Sequence, residues 1–96
     1  MPESRFTLAH MFGPVPVGRP SGAALREQLE RAAENGVVVV LDFAGVEDVS
    51  PSVADELFGK LPLSVPAEQL RFENLSDHLQ TVSTRALQVR RATEVA

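Results

Sequence analysis

Cysteine is absent from all 96 residues, which excludes disulfides, thiol catalysis and thiolate metal sites together and leaves no sign of an oxidising compartment. Long apolar runs are absent as well. The longest, Val37–Leu41, is far short of the roughly 20 residues that cross a bilayer. The opening MPESRF lacks the charged-then-apolar order of a secretory signal, so a cytoplasmic protein with no membrane contact is expected. Positive charge is scarce: the net charge is −4, whereas binding nucleic acid needs clustered Lys and Arg to displace counterions. The one basic cluster, Arg85, Arg90 and Arg91, reads as cations that complement the dipole near a helix C-terminus. Two histidines, His10 and His78, are too few for a metal site, and no cofactor is expected.

What is present is the makeup of an ordinary globular protein, 44% apolar and 23% charged. A chain this short folds as one compact domain, 1–96, and buries about two-thirds of the surface its unfolded form exposes. Residues 1–20 read as a strand and a Pro/Gly-rich loop, and 21–96 as the α/β core. Arg5–Phe12 alternates loosely, as an opening strand does, and GPVPVGRPSG then interrupts it with a loop or short edge strand. From Ser21 the period changes: Leu25, Leu29, Ala32 and Ala33 recur at spacings of three and four, opposite Arg26, Glu27, Glu30, Arg31 and Glu34. Asn35-Gly36 stops this first helix.

Val37–Asp42 is a β-branched run without polar alternation, the mark of a central strand covered on both faces of a parallel or mixed sheet. After it, Ser50 and Pro51 are the N-cap and first residue of a second helix. That helix carries Val53, Leu57 and Leu61 on one stripe, turns Asp55, Glu56 and Lys60 outward, and is expected to end at Pro62. Gln69–Glu73 alternates as a half-buried strand. Asn74, with Asp77 three residues on, then caps a third helix whose Leu75, Leu79, Val82, Ala86 and Val89 pack on the sheet. The seam covers only about two heptads, too few for a coiled coil. The order strand, helix, strand, helix, strand, helix predicts an α/β sandwich, a small mixed sheet with three helices, in which right-handed crossovers make the later strands parallel.

Asp42 lies at the C-terminal end of the central strand, where α/β sheets place working groups. A phosphoacceptor aspartate of the receiver type needs further acids after the first strand, and residues 5–18 contain none. A local role, accepting backbone N–H groups of the next loop, suits Asp42 better. Ser52, His78 and Asp77 or Asp55 could be assembled into a hydrolase triad, but no G-x-S-x-G elbow precedes the serine. Gly13–Gly22 matches neither G-x-G-x-x-G nor the P-loop pattern.

The stretch GRPSGAALREQLERAAENGVVVVLDFAGVEDVSPSVADELFGKL, Gly18–Leu61, resembles the STAS-like family of small bacterial domains, relatives of the STAS modules of anti-sigma factor antagonists. The likeness rests on a G-R pair before the first helix, a strand ending L-D-F, a following G-V, and a serine-containing turn into A-D-E-L-F-G. Phe72-Glu73-Asn74 and the last helix fit it too.

The resemblance implies a regulatory module without enzymatic activity, whose partner is a GHKL-type ATPase acting as a serine kinase, or an anti-sigma factor. In anti-sigma factor antagonists the partner kinase phosphorylates a serine at the start of the helix after the central strand. Laid on that family's D-S-S-G turn, Ser50 falls at the aspartate, Pro51 at the first serine, Ser52 at the phosphoacceptor and Val53 at the glycine, so three of the four positions differ. Ser52 is thus the candidate phosphoacceptor, and Asp42, Glu47, Asp48, Ser50, Asp55 and Glu56 are the candidate partner-binding residues. The alternatives are a scaffold or homodimerisation module whose serines only cap the helix, and a small serine hydrolase built on Ser52.

Overall fold

A computed structural model describes residues 1–95. Three strands, β1 (Glu3–Thr7), β2 (Val38–Asp42) and β3 (Leu70–Glu73), form a sheet in the order β1-β2-β3. All pairings are parallel, with Val40 between Arg5 and Arg71. The class is the α/β arrangement expected, although the sheet is wholly parallel rather than mixed and short helical segments join the three helices foreseen. β2 is central, as its valine run demands: Val38, Val39, Val40 and Leu41 are all buried. The opening strand ends at Thr7, and Leu8–Phe12 wind into a short helix, α1, that drives Leu8 into the core.

α2 spans Arg19–Glu34, two residues longer at its start than expected, because Pro20 in the first turn gives up an N–H that has no partner there anyway. Its apolar stripe, Leu25, Leu29 and Ala33, enters the core. At its end Gly36 takes φ +80°, its N–H reaches Ala33 O, and the Val37 N–H reaches Ala32 O. These two bonds make a Schellman stop, which explains why Asn35-Gly36 marks the boundary.

Pro62 does not end the second long helix. α3 (Pro51–Ala54) runs into a π-helical segment, Asp55–Lys60, and on into α4 (Leu61–Ser64). Within a regular α-helix the proline ring collides with the carbonyl four residues back. Here the preceding turn is widened by one residue, with the Leu61 N–H bonded to Glu56 O, and the chain carries Pro62 onward to Ser64.

A single 3₁₀ turn, Ala67–Gln69, leads into β3. The final helix, α5 (Asp77–Val95), is capped by Ser76, whose Oγ accepts the Leu79 N–H at 3.1 Å, and not by Asn74. Asn74 instead takes φ +59° and points its side-chain amide at Asp42. Contrary to expectation, α5 packs mainly on the π-helical segment rather than on the strands.

The core joins Val39, Leu41 and Phe43 to the apolar faces of α2, α3 and α4. Phe58 stacks on Phe43 at 5.1 Å and meets Phe72 edge-on at 5.2 Å. Val38 and Val40, on the opposite sheet face, lie outside that cluster. There Val40, only 1% exposed, is flanked by Arg5 and Arg71, whose apolar stems can cover it while their heads reach acids. Arg5 pairs with Asp42 at 3.1 Å and Glu73 at 2.7 Å, and Arg71 pairs with Glu3 and Glu73.

Candidate functional site

The junction between β2 and α3 is built by its own polar atoms. Asp42 Oδ1 accepts the Ala44 N–H at 2.9 Å, the local turn role its position suggests, and also takes a bond from the Asn74 amide at 2.8 Å. With Arg5 on the other oxygen, its carboxyl stays below the usual aspartate range, first through Asn74 and then through Ala44. Phe43, Val46 and Val49 anchor the loop in the core. The Pro/Gly-rich segment holds its outer edge: Glu47 N–H bonds Pro14 O at 2.8 Å and Ser50 N–H bonds Pro16 O at 3.0 Å.

Ser50 is the N-cap of α3, with extended backbone (φ −65°, ψ 156°) and its Oγ accepting the Val53 N–H at 3.2 Å. Pro51 follows at the first helical position. Ser52 is the next residue, half-buried, and its hydroxyl makes no hydrogen bond among the described residues. Of the two serines on this turn, one is used by the fold and the other is not.

Asp55 and Glu56 do not both face outward as the helical period suggests. Glu56 is fully buried. Its carboxylate is held by Arg19 at 2.5 Å, Arg26 Nε at 3.0 Å and Lys60 at 2.7 Å. Burial pushes this carboxyl up, and the bonds from Lys60 and Arg26 more than reverse it, leaving the group below its ordinary value of 4.5. Gly22 makes the close approach possible: a Cβ there would lie 3.2 Å from Glu56 Cβ and 3.3 Å from Val53 Cα. Asp55 takes a two-pronged grip from Arg90, at 3.0 and 2.6 Å, and a third bond from Arg19 at 3.0 Å. Arg90 foremost holds the Asp55 carboxyl low.

Glu47 and Asp48 remain at the surface. Asp48 meets His78 Nε2 at 2.9 Å and accepts the Val49 N–H, and its carboxyl is lowered first by that histidine. The pieces of a hydrolase triad are therefore not joined: His78 is bonded to Asp48, and no hydrogen bond links Ser52 to a histidine among the described residues. No group of three or more His, Cys, Asp or Glu is disposed to hold a metal ion among the described residues, and none of the described helices is long and apolar enough to cross a membrane.

Of the candidate residues, Glu47, Asp48, Ser50, Ser52 and Asp55 surround the start of α3, Asp42 is turned to the ion pairs of the sheet face, and Glu56 is turned inward toward α2. Sequence reasoning missed Arg19, Arg26 and Arg90 as partners of Asp55 and Glu56. The i,i+4 spacing shows in Glu56–Lys60, Arg26–Glu30 and Arg90–Glu94, but it links none of the three arginines to Asp55 or Glu56. A family model described as "STAS-like domain of unknown function (DUF4325)" matches residues 21–80, which takes in α2 from its third residue, β2, the junction, α3, α4, β3 and the first turn of α5. No match is found among curated proteins or among solved structures.

Proposed function

Because the chain belongs to this STAS-like family, whose model spans more than half of it, we propose that it is a regulatory module that works by binding another protein and is switched by phosphate on Ser52. The observation that carries this reading is the division of labour on the first turn of α3. Ser50 is committed to the cap, whereas the Ser52 hydroxyl is half-exposed and has no bond within the described residues. A phosphate at the second helical position meets the N–H of Ser52 itself, since Pro51 has none and those of Val53 and Ala54 are bonded to Ser50, together with the positive end of the helix dipole, so the fold tolerates it.

The consequence falls on the partner. Ser52 lies three and four residues before Asp55 and Glu56, the spacing of neighbours on a helix face. About two added negative charges there repel those carboxylates and compete with them for Arg19, whose side chain is 48% exposed and within reach of solvent. A protein surface fitted to the bare hydroxyl, bounded by Glu47, Asp48 and Ser50, then meets a changed charge and a moved guanidinium. The partner this fits is a GHKL-type ATPase acting as serine kinase, or an anti-sigma factor released and recaptured by it.

The test is intact mass after incubation with ATP and serine kinases of that type. One added phosphate is expected, lost in Ser52→Ala and retained in Ser50→Ala, although Ser50→Ala costs about 1 kcal/mol of stability as a lost cap. Phosphate that persists in Ser52→Ala, or none with any such kinase, defeats the switch.

A further inference from the structure

The basic cluster near the C-terminus is not used up by helix-end chemistry. Arg90 is bound to Asp55, but Arg85 stands in mid-helix, exposed and without an ion pair among the described residues. It lies on the rim of a groove of about 670 Å³ between the start of α3 and α5. The groove is apolar along its length: Val49, Pro51 and Ala54 on one wall, Val82, Ala86 and Val89 on the other. Val89 is 60% exposed. At the rim Asp55 and Arg90 answer each other, and Asp48 is engaged by His78. Arg85 is therefore the cation of this rim without an ion pair among the described residues, on the opposite wall from the Asp48 carboxylate, whose hydrogen bond to His78 is an ion pair only when that ring is protonated.

We infer that this groove seats an amphipathic helical segment of a partner protein that sets an acidic side chain against Arg85. From His78 to Arg90 the groove follows α5 for roughly 18 Å, or about three turns. One wall is the long helix α5 and the other the loop end and first turn of α3, neither of them a sheet edge, so an extended segment has no strand to pair with, whereas a helix brings its own satisfied backbone. Val82, Ala86 and Val89 recur at the four-three spacing that meshes with a facing apolar stripe. A planar guanidinium selects a carboxylate, which it can bind with two parallel bonds. A second copy of the chain is a poor occupant. A two-fold contact centred on this stretch brings Arg85 against its own copy, like charge to like. Ser52 itself does not line the groove, so the seat is argued without the phosphate switch.

The experiment titrates the full ¹⁵N-labelled chain with two synthetic alanine-based helical peptides of about four turns. Both carry leucines at i, i+3, i+4 and i+7; one has glutamates along the flank of that stripe, the other lysines. The glutamate peptide is expected to shift the amides of Ala54, Val82, Ala86 and Val89 and to bind at least about tenfold more tightly than the lysine peptide. Arg85→Glu reverses that preference, and Val89→Glu abolishes binding of both. Both altered groove residues are exposed, so the variants keep the fold. Shifts that are absent, scattered over the surface or equal for the two peptides overturn the inference, as does sedimentation showing a dimer with the groove covered by a second copy.

Discussion

Glu56 shows at the scale of one residue how far a side chain can depart from its place in a pattern. A buried carboxylate persists only when paired and hydrogen-bonded, and this one has Arg19, Arg26 and Lys60 around it. Glu56→Gln keeps the shape and removes the charge, leaving three cations facing one another. The expected loss is about 2–4 kcal/mol in urea unfolding, somewhat below the cost of breaking a fully buried pair, because Arg19 and Lys60 reach water. The carboxyls of Glu56 and Asp55 both ionise more readily in the folded chain than their ordinary values of 4.5 and 3.8. The stability they contribute is present above those values and drains away as pH falls through the lower folded-state ones. Wild-type unfolding midpoints should therefore hold from about pH 7 to 5 and drop below about pH 4, and the drop should be shallower in Glu56→Gln. An equally steep acid limb in that variant would show that other carboxylates carry the dependence.

At the scale of elements, the widened turn Asp55–Lys60 is the joint on which α5 sits. Gly59 is its contact point: a Cβ there would lie 2.9 Å from Asp55 Oδ1 and 3.2 Å from both Ala86 O and Arg90 Cβ. Alanine in a helix ordinarily gains up to about 1 kcal/mol over glycine. Here the backbone carbonyl of Ala86 cannot step aside without moving α5, so Gly59→Ala is expected to lose a net 1–3 kcal/mol or so. A thermal melt of the variant checks it, and a raised midpoint would show that α5 moves away freely. The same element-scale contrasts explain which boundaries were legible. Asn35-Gly36 and Ser50-Pro51 act through bonds that span three to five residues, which a sequence displays. The passage of helix through Pro62, and the cap at Ser76 in place of Asn74, depended on an upstream turn and on an Asp42 more than thirty residues distant.

At the scale of the whole molecule, stability is unevenly distributed. β2 is buried on both faces, while from Thr81 to Glu94 no residue of α5 is fully buried. Local opening follows burial, so native-state hydrogen exchange should find β2 amides opening only with global unfolding and the amides of 82–94 exchanging fastest among the long helices. Protection in α5 equal to that of β2 would contradict this layering. The less protected half of α5 is also one wall of the apolar groove, so whatever fills the groove should slow its exchange.

The order of the three strands and the three longer helical stretches, the central place of Val38–Leu41, the cap at Ser50 and the stop at Gly36 were all determined by the sequence, because periodicity, β-branching and capping act over a few neighbouring residues, whereas the turn of Leu8–Phe12 into α1 was not legible. The STAS-like character was readable for the same reason, since it lies in contiguous motifs between Gly18 and Leu61. Only the tertiary structure decided that Glu56 faces α2 rather than water, that α5 rests on a helix rather than on the sheet, and that Arg85 overlooks an apolar groove. Each of these depends on how closely two helices approach, and glycines at 22 and 59 permit that approach only once the partner helix is in place.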